Sequence, residues 1–115
     1  MSIYQVVCSE NEAINSRYIQ SIDLTIQNLG HEEFDMLIKG LNSHGTAFIY
    51  LYHLNKSSDP NSVITIPDIY TNYEPFTLQL VTNRDTRSTA AITMYVKSNG
   101  NLVALFTQED FSKIP

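Results

Sequence analysis

Three histidines, twelve acidic residues and one cysteine are the side chains from which this sequence could build a reactive centre. His31 is followed by Glu32 and Glu33, which has the look of a metal-ligand cluster. Neighbours along a strand point to opposite faces, so only alternate residues converge on one ion. His31 and His44 stand beside Gly30 and Gly45 and read as turn residues, and His53 falls near the end of an apolar run. No His-x-His or Glu-x-x-His pair is present to make a ligand set. The chain has no Gly-x-Ser-x-Gly elbow and no phosphate-binding glycine loop, and its four glycines leave little room for one. Paired-carboxylate chemistry would require Glu74 to meet Glu109 or Asp110, which nothing in their spacing compels. The expectation is a protein that is not an enzyme and uses no metal and no cofactor.

Cys8 has two readings. It is either a free, half-buried thiol in a strand or one half of an intermolecular disulfide. A single cysteine excludes an intrachain disulfide framework and a Cys-based zinc site. It can join only two chains and cannot link a whole polymer covalently. Asn55-Lys56-Ser57 matches a glycosylation sequon, but no secretory signal accompanies it.

The elements that must carry these residues are strands. The 115 residues suit one domain, with 43% hydrophobic and only 17% charged residues. Tyrosine is abundant and tryptophan absent, a β-leaning composition with a surface of hydroxyls and amides. A net charge of −5 disfavours a nucleic-acid partner and a polybasic membrane-surface role. No stretch approaches the length of a membrane helix.

Ala90, Ile92, Met94 and Val96 alternate with polar or smaller neighbours, Ser98-Asn99-Gly100-Asn101 turns the chain, and Leu102, Ala104 and Phe106 follow. Asn-Gly between alternating runs is a hairpin signature. Phe76, Leu78 and Leu80 form another one-face-buried strand, as do Ile22, Leu24 and Ile26. Val63–Ile66 is a short strand that Pro67 is expected to stop. Between Glu32 and Leu41, Phe34, Leu37, Ile38 and Leu41 fit a helix, whereas Phe34, Met36 and Ile38 fit a strand. The neighbouring strands and Gly40 favour the strand. The sum is an all-β domain: a single β-sandwich, jelly-roll or Greek-key, of seven to eight short antiparallel strands. Residues 1–13 stand apart as a terminal strand or an extended arm.

Two features point to association. Phe48, Tyr50 and Tyr52 share one face of the strand Thr46–Leu54, and Ala47, Ile49 and Leu51 share the other. A small sandwich buries one face of each sheet, so the second face wants a partner. Few charges and few strand prolines also leave the sheet edges little protected. If Ile3, Tyr4, Val6, Val7 and Cys8 form an arm, that arm could add to a neighbour's edge and build a ring or a filament.

The hairpin from Ala90 to Ala104, and Val63-Ile64-Thr65-Ile66-Pro67 leading to Phe76-Thr77-Leu78, resemble small β-sandwich proteins of Bacillus endospore surfaces, including the spore appendage subunits. The resemblance implies a jelly-roll subunit whose N-terminal connector, residues 1–13 ahead of a body at residues 16–115, docks on the preceding subunit. It also implies assembly from the mother-cell cytoplasm, which accounts for the missing signal peptide. The expected function is a self-assembling subunit of an extracellular fibre. Its partners are its own copies in a helical filament, with an anchor or tip protein. Its contacts are the arm residues above and a lateral face of Phe48, Tyr50 and Tyr52. The competing expectation is a carbohydrate- or protein-binding sandwich of a phage or virus particle, using Tyr70 and Tyr73 in the loop Ile69–Glu74.

Overall fold

Alternating burial runs through almost every segment, and each such segment is a strand. The computed structural model describes residues 1–114. The strands are β1 (Ser2–Cys8), β2 (Ser21–Asn28), β3 (Phe34–Asn42), β4 (Gly45–Leu54), β5 (Val63–Tyr70), β6 (Phe76–Thr82), β7 (Ala90–Ser98), β8 (Asn101–Thr107) and β9 (Ser112–Ile114). Single 3-10 turns occupy Ser16–Tyr18 and Gln108–Asp110. One sheet has the order β4-β3-β6-β1-β9 and the other β5-β2-β7-β8. All ladders between the strands are antiparallel. Only β3–β4 and β7–β8 are hairpins, and every other connection crosses between the sheets. The protein is the small all-β sandwich that the alternation predicts.

The core follows from the period of two. Tyr4, Val6 and Cys8 of β1 lie inward with Phe34, Met36 and Ile38 of β3 and Leu78 and Leu80 of β6. Leu24, Ile26, Ile92, Met94 and Val96 meet them from the other sheet. Each fully buried side chain of this kind contributes about 1.5–3 kcal/mol relative to exposure. The β7–β8 turn has the positive φ angles that its Asn-Gly pair predicts, 54° at Asn99 and 78° at Gly100.

Residues 2–8 are not a free arm. β1 pairs with β6 over all seven residues and with β9 over Ile3–Gln5, so it is an interior strand. A buried polar knot fixes its start. The Thr86 N–H donates to Ser2 Oγ at 2.9 Å, the Ser2 N–H donates to Thr82 Oγ1 at 3.1 Å, and the Tyr4 hydroxyl meets Thr86 Oγ1 at 3.0 Å. The polar run Ser9–Glu12 is the turn out of β1. Phe34–Asn42 is a strand, as favoured.

Pro67 does not stop β5, which continues to Tyr70. β5 is an edge strand, so a missing N–H can face outward. An extra residue is absorbed where Ile22/Leu24 faces Ile69/Ile66, with Asp68 at a φ of 55° and its N–H bound by Asp23 at 2.7 Å.

Candidate functional site

Two sheets leave four edges, and the local sequence decides which are open. β5 is blunted by Pro67 and its bulge, and β9 is three residues long. β4 and β8 each have a bulge too, with Ala47 and Val103 as the extra residues, but they are longer than β9 and contain no proline. β4 reads GTAFIYLYHL over ten residues and β8 reads NLVALFT over seven. Neither holds a Lys, Arg, Asp or Glu. β4 bonds only β3, and β8 bonds only β7. Their exposed apolar residues are large: Leu51 is 70% exposed and Ile49 57%, while Leu102, Val103 and Leu105 are 59%, 52% and 50%. Leu102, Val103 and Leu105 were not foreseen as contacts, although an uncharged strand after the last hairpin was the available signal.

The register of β4 on β3 corrects its expected lateral face. Tyr52 pairs with Met36, Tyr50 with Ile38 and Phe48 with Gly40, all on the inward side of β3. Phe48 and Tyr52 pack against the core, and Tyr50 stays partly exposed between them. The three rings stack along the strand at 5.5 and 6.2 Å. Phe48 lies on Gly40 so closely that a Cβ there would overlap its ring. The outward face is Ile49 and Leu51. Leu51 begins an apolar row that crosses all five strands: Leu51, Leu37, Val81, Ile3 and Ile114. The corresponding row on the other sheet is Thr65, Thr25, Thr93 and Thr107. The two outer faces thus differ, one partly apolar and one hydroxylated.

Beneath β8 the two sheets do not close. Residues 13–19 and the β7–β8 hairpin frame a groove of about 540 Å³, whose lining is mainly apolar, with Ile14, Val96, Val103, Ala104 and Phe106, but includes Arg17. Ala104 and Phe106 point inward yet remain partly exposed, because nothing of the chain fills the space under them.

The placement of the two open edges follows from the topology. The Asn28 amide donates to Asn55 O at 3.0 Å and Glu32 O at 2.8 Å, so β2 and β4 end at the same end of the sandwich, where β3 begins. β8 is two antiparallel steps from β2 and runs the same way. β4 and β8 therefore run in one direction, in opposite sheets. β8 lies beside β9 through the short Gln108–Asp110 turn, and β4 lies beside β5, whose ends share a cleft. The open edges occupy opposite flanks.

Cys8 is fully buried and unpaired, and burial pushes its thiol up to about 12, with Glu12 adding to the rise. That corrects the disulfide reading, since a buried thiol at that pKa is neither accessible nor a thiolate. Of the foreseen arm residues, Tyr4, Val6 and Cys8 are core, while Ile3 and Val7 lie on the outer face. His31 is exposed, and His44 sits in the β3–β4 turn, where its N–H donates to Asn42 Oδ1 at 2.8 Å. Asp110 accepts the Thr107 N–H at 2.9 Å as a cap, and Glu109 pairs with Lys113 at 4.0 Å. Glu74 lines a different surface from either. Asn55 donates to Pro60 O at 2.7 Å and closes its own turn. Tyr73 is tied through its hydroxyl to Ser98 at 2.9 Å, leaving Tyr70 as the freer ring of the loop.

Among the described residues no three His, Cys, Asp or Glu side chains gather to hold a metal ion, and no helix is long and apolar enough to cross a membrane. No protein family matches the chain, and no curated protein or solved structure matches it either.

Proposed function

We propose that the protein is a self-assembling structural subunit of an extracellular fibre, growing by sheet augmentation between copies. The spore-surface setting, with an anchor or tip protein at the fibre ends, belongs to the same proposal and rests on the resemblance given above.

The observation that carries the reading is the pair of open, uncharged edges on opposite flanks. Each copy then offers two different docking surfaces, and a head-to-tail contact between them propagates instead of closing on itself. A half-turn about an axis across the sheets exchanges the two layers and reverses the strands. It brings β4 of one copy antiparallel to β8 of the next, with inner faces on the same side. β8 has an unfilled, mainly apolar groove beneath it, and β4 has aromatic side chains projecting from its inner face at the flank. Pairing β8 with β4 matches a deficit of side chains to a surplus. Pairing like with like would set groove against groove and ring against ring. The net charge of −5 per copy repels, but neither strand contributes to it.

Augmentation falls to these edges because β1 is not free to be donated. Withdrawing it would expose Tyr4, Val6 and Cys8, at about 1.5–3 kcal/mol for each large side chain. Electron microscopy of the purified full chain tests the reading. Filaments are expected, and they should be lost on Leu105→Lys or Leu51→Lys, since a charge at an open edge blocks pairing. Both residues face solvent, so each variant should keep the wild-type fold by circular dichroism. Discrete monomers of the wild type at high concentration would sink the proposal.

A further inference from the structure

His53 closes the outer row of β4, on the edge that the proposed assembly uses. Its Nδ1 lies 2.6 Å from Asp35 Oδ1 on β3, and its Nε2 lies 3.4 Å from Glu33 Oε2 just before β3. Both ring nitrogens therefore face carboxylates. Only the imidazolium donates through both, because a neutral ring has one N–H and turns a lone pair toward the other acceptor. Asn83 also adjoins the cluster. Its amide nitrogen is 3.5 Å from Asp35 Oδ2, and its side-chain oxygen accepts the Asp35 N–H at 2.9 Å. The adjacent Glu32 is held by Arg84 at 3.1 Å, which leaves Glu33 and Asp35 with His53 as their one cationic partner among the described residues.

An incoming β8 would cover this end of β4 and displace water from the cluster. It brings no charged side chain. Near its start, Lys97 is already paired with Asp23 and Asp68 at 2.7–3.0 Å, while Arg17 lines the groove with Ser98 and Val103, under the inner face of β8. On the receiving strand, the group that compensates the two carboxylates is His53.

We propose that protonation of His53 gates the docking of a second copy at the β4 edge, the imidazolium admitting the strand and the neutral ring opposing it. This rests on the reading of β4 as an assembly edge. The hydrogen bond to Asp35 holds the His53 pKa above its ordinary value, with Glu33 adding to it against a smaller desolvation effect. A raised pKa means that the favourable contribution is complete below about pH 6.5 and is lost as pH rises through the higher folded value. Fibres would form most readily in mildly acidic to neutral conditions and loosen in mild alkali.

The test is the critical concentration for assembly of the full chain between pH 6 and pH 9, measured by sedimentation. For wild type it should rise with pH, by about tenfold for each unit by which docking raises the His53 pKa. His53→Gln should flatten the profile, whereas His31→Gln and His44→Gln should keep the wild-type slope. A wild-type profile as flat as that of His53→Gln overturns the gate and leaves edge assembly standing. Equal flattening by His31→Gln would assign the dependence to net charge and also overturn it. Absence of filaments at every pH overturns both this inference and the assembly reading.

Discussion

Gly40→Ala is the sharpest probe of how β4 sits on the sandwich. A Cβ at Gly40 would overlap Cε1 and Cζ of Phe48 and stand 2.7 Å from Cδ1. The ring cannot stay where it is. It is packed against the core and stacked on Tyr50, so its displacement disturbs both. Overpacking of this kind costs about 1–3 kcal/mol. Alanine returns about 0.5–1 kcal/mol relative to glycine inside a regular element. The net expectation is a loss of about 1–2 kcal/mol, or roughly 4–12 °C in Tm for a domain of this size. Urea and thermal unfolding followed by circular dichroism would read it. The decisive control is the double variant. With Phe48→Ala the obstruction is gone, so adding Gly40→Ala should be neutral or slightly stabilising, a coupling of at least about 1 kcal/mol. If Gly40→Ala costs the same in both backgrounds, Phe48 does not lie over Gly40. The assignment of the aromatic face of β4 to the inside of the sandwich would then be wrong.

Three further outcomes follow from the same geometry. Deleting residues 1–13 should leave a chain without cooperative unfolding, because it removes an interior strand; a folded, soluble remainder would restore the arm. Cys8 should react with a thiol reagent only at the rate of unfolding, and oxidation should give no covalent dimer on a non-reducing gel; fast labelling of the native protein would contradict its burial. Burial alone pushes the Asp23 carboxyl up, but the Asp68 N–H and the Lys97 ammonium outweigh it and bring the net shift below the ordinary value. A lowered folded pKa gives stability that is present above about pH 3.8 and lost as pH falls through the folded value. Asp23→Asn should therefore reduce the loss of stability below pH 4, and an unchanged acid limb in urea titrations would refute that role.

Much of the fold was legible because one-sided burial leaves a clear mark. Ile22/Leu24/Ile26, Phe76/Leu78/Leu80 and Ile92/Met94/Val96 each alternate, and each is a strand with those residues inside. Asn99-Gly100 named its own turn. Where the pattern was two-sided, sequence lost its authority. β4 is apolar on both faces, so only its pairing with Met36 and Ile38 of β3 reveals that Phe48, Tyr50 and Tyr52 look inward and Ile49 and Leu51 outward. β1 is also apolar on both faces, with Ile3 and Val7 outside and Tyr4, Val6 and Cys8 inside, and the polar turn after it mimics a linker. Its polar anchors, Thr82 and Thr86, lie some 80 residues away. β9 is too short to carry a period at all. The groove beneath β8 brings residues 13–19 to the β7–β8 hairpin, a meeting of distant segments that no local spacing encodes.

The measurement that bears most directly on the account is cross-linking between copies. Leu51→Cys on β4 and Leu105→Cys on β8 place thiols on the outer faces of the two edges, while the buried Cys8 stays silent. Assembled separately and together, the two variants would be treated with a short bis-maleimide. Head-to-tail pairing predicts a covalent dimer from the mixture and none from either variant alone. A dimer from a single variant, or filaments that the mixture never cross-links, would contradict the pairing of β4 with β8.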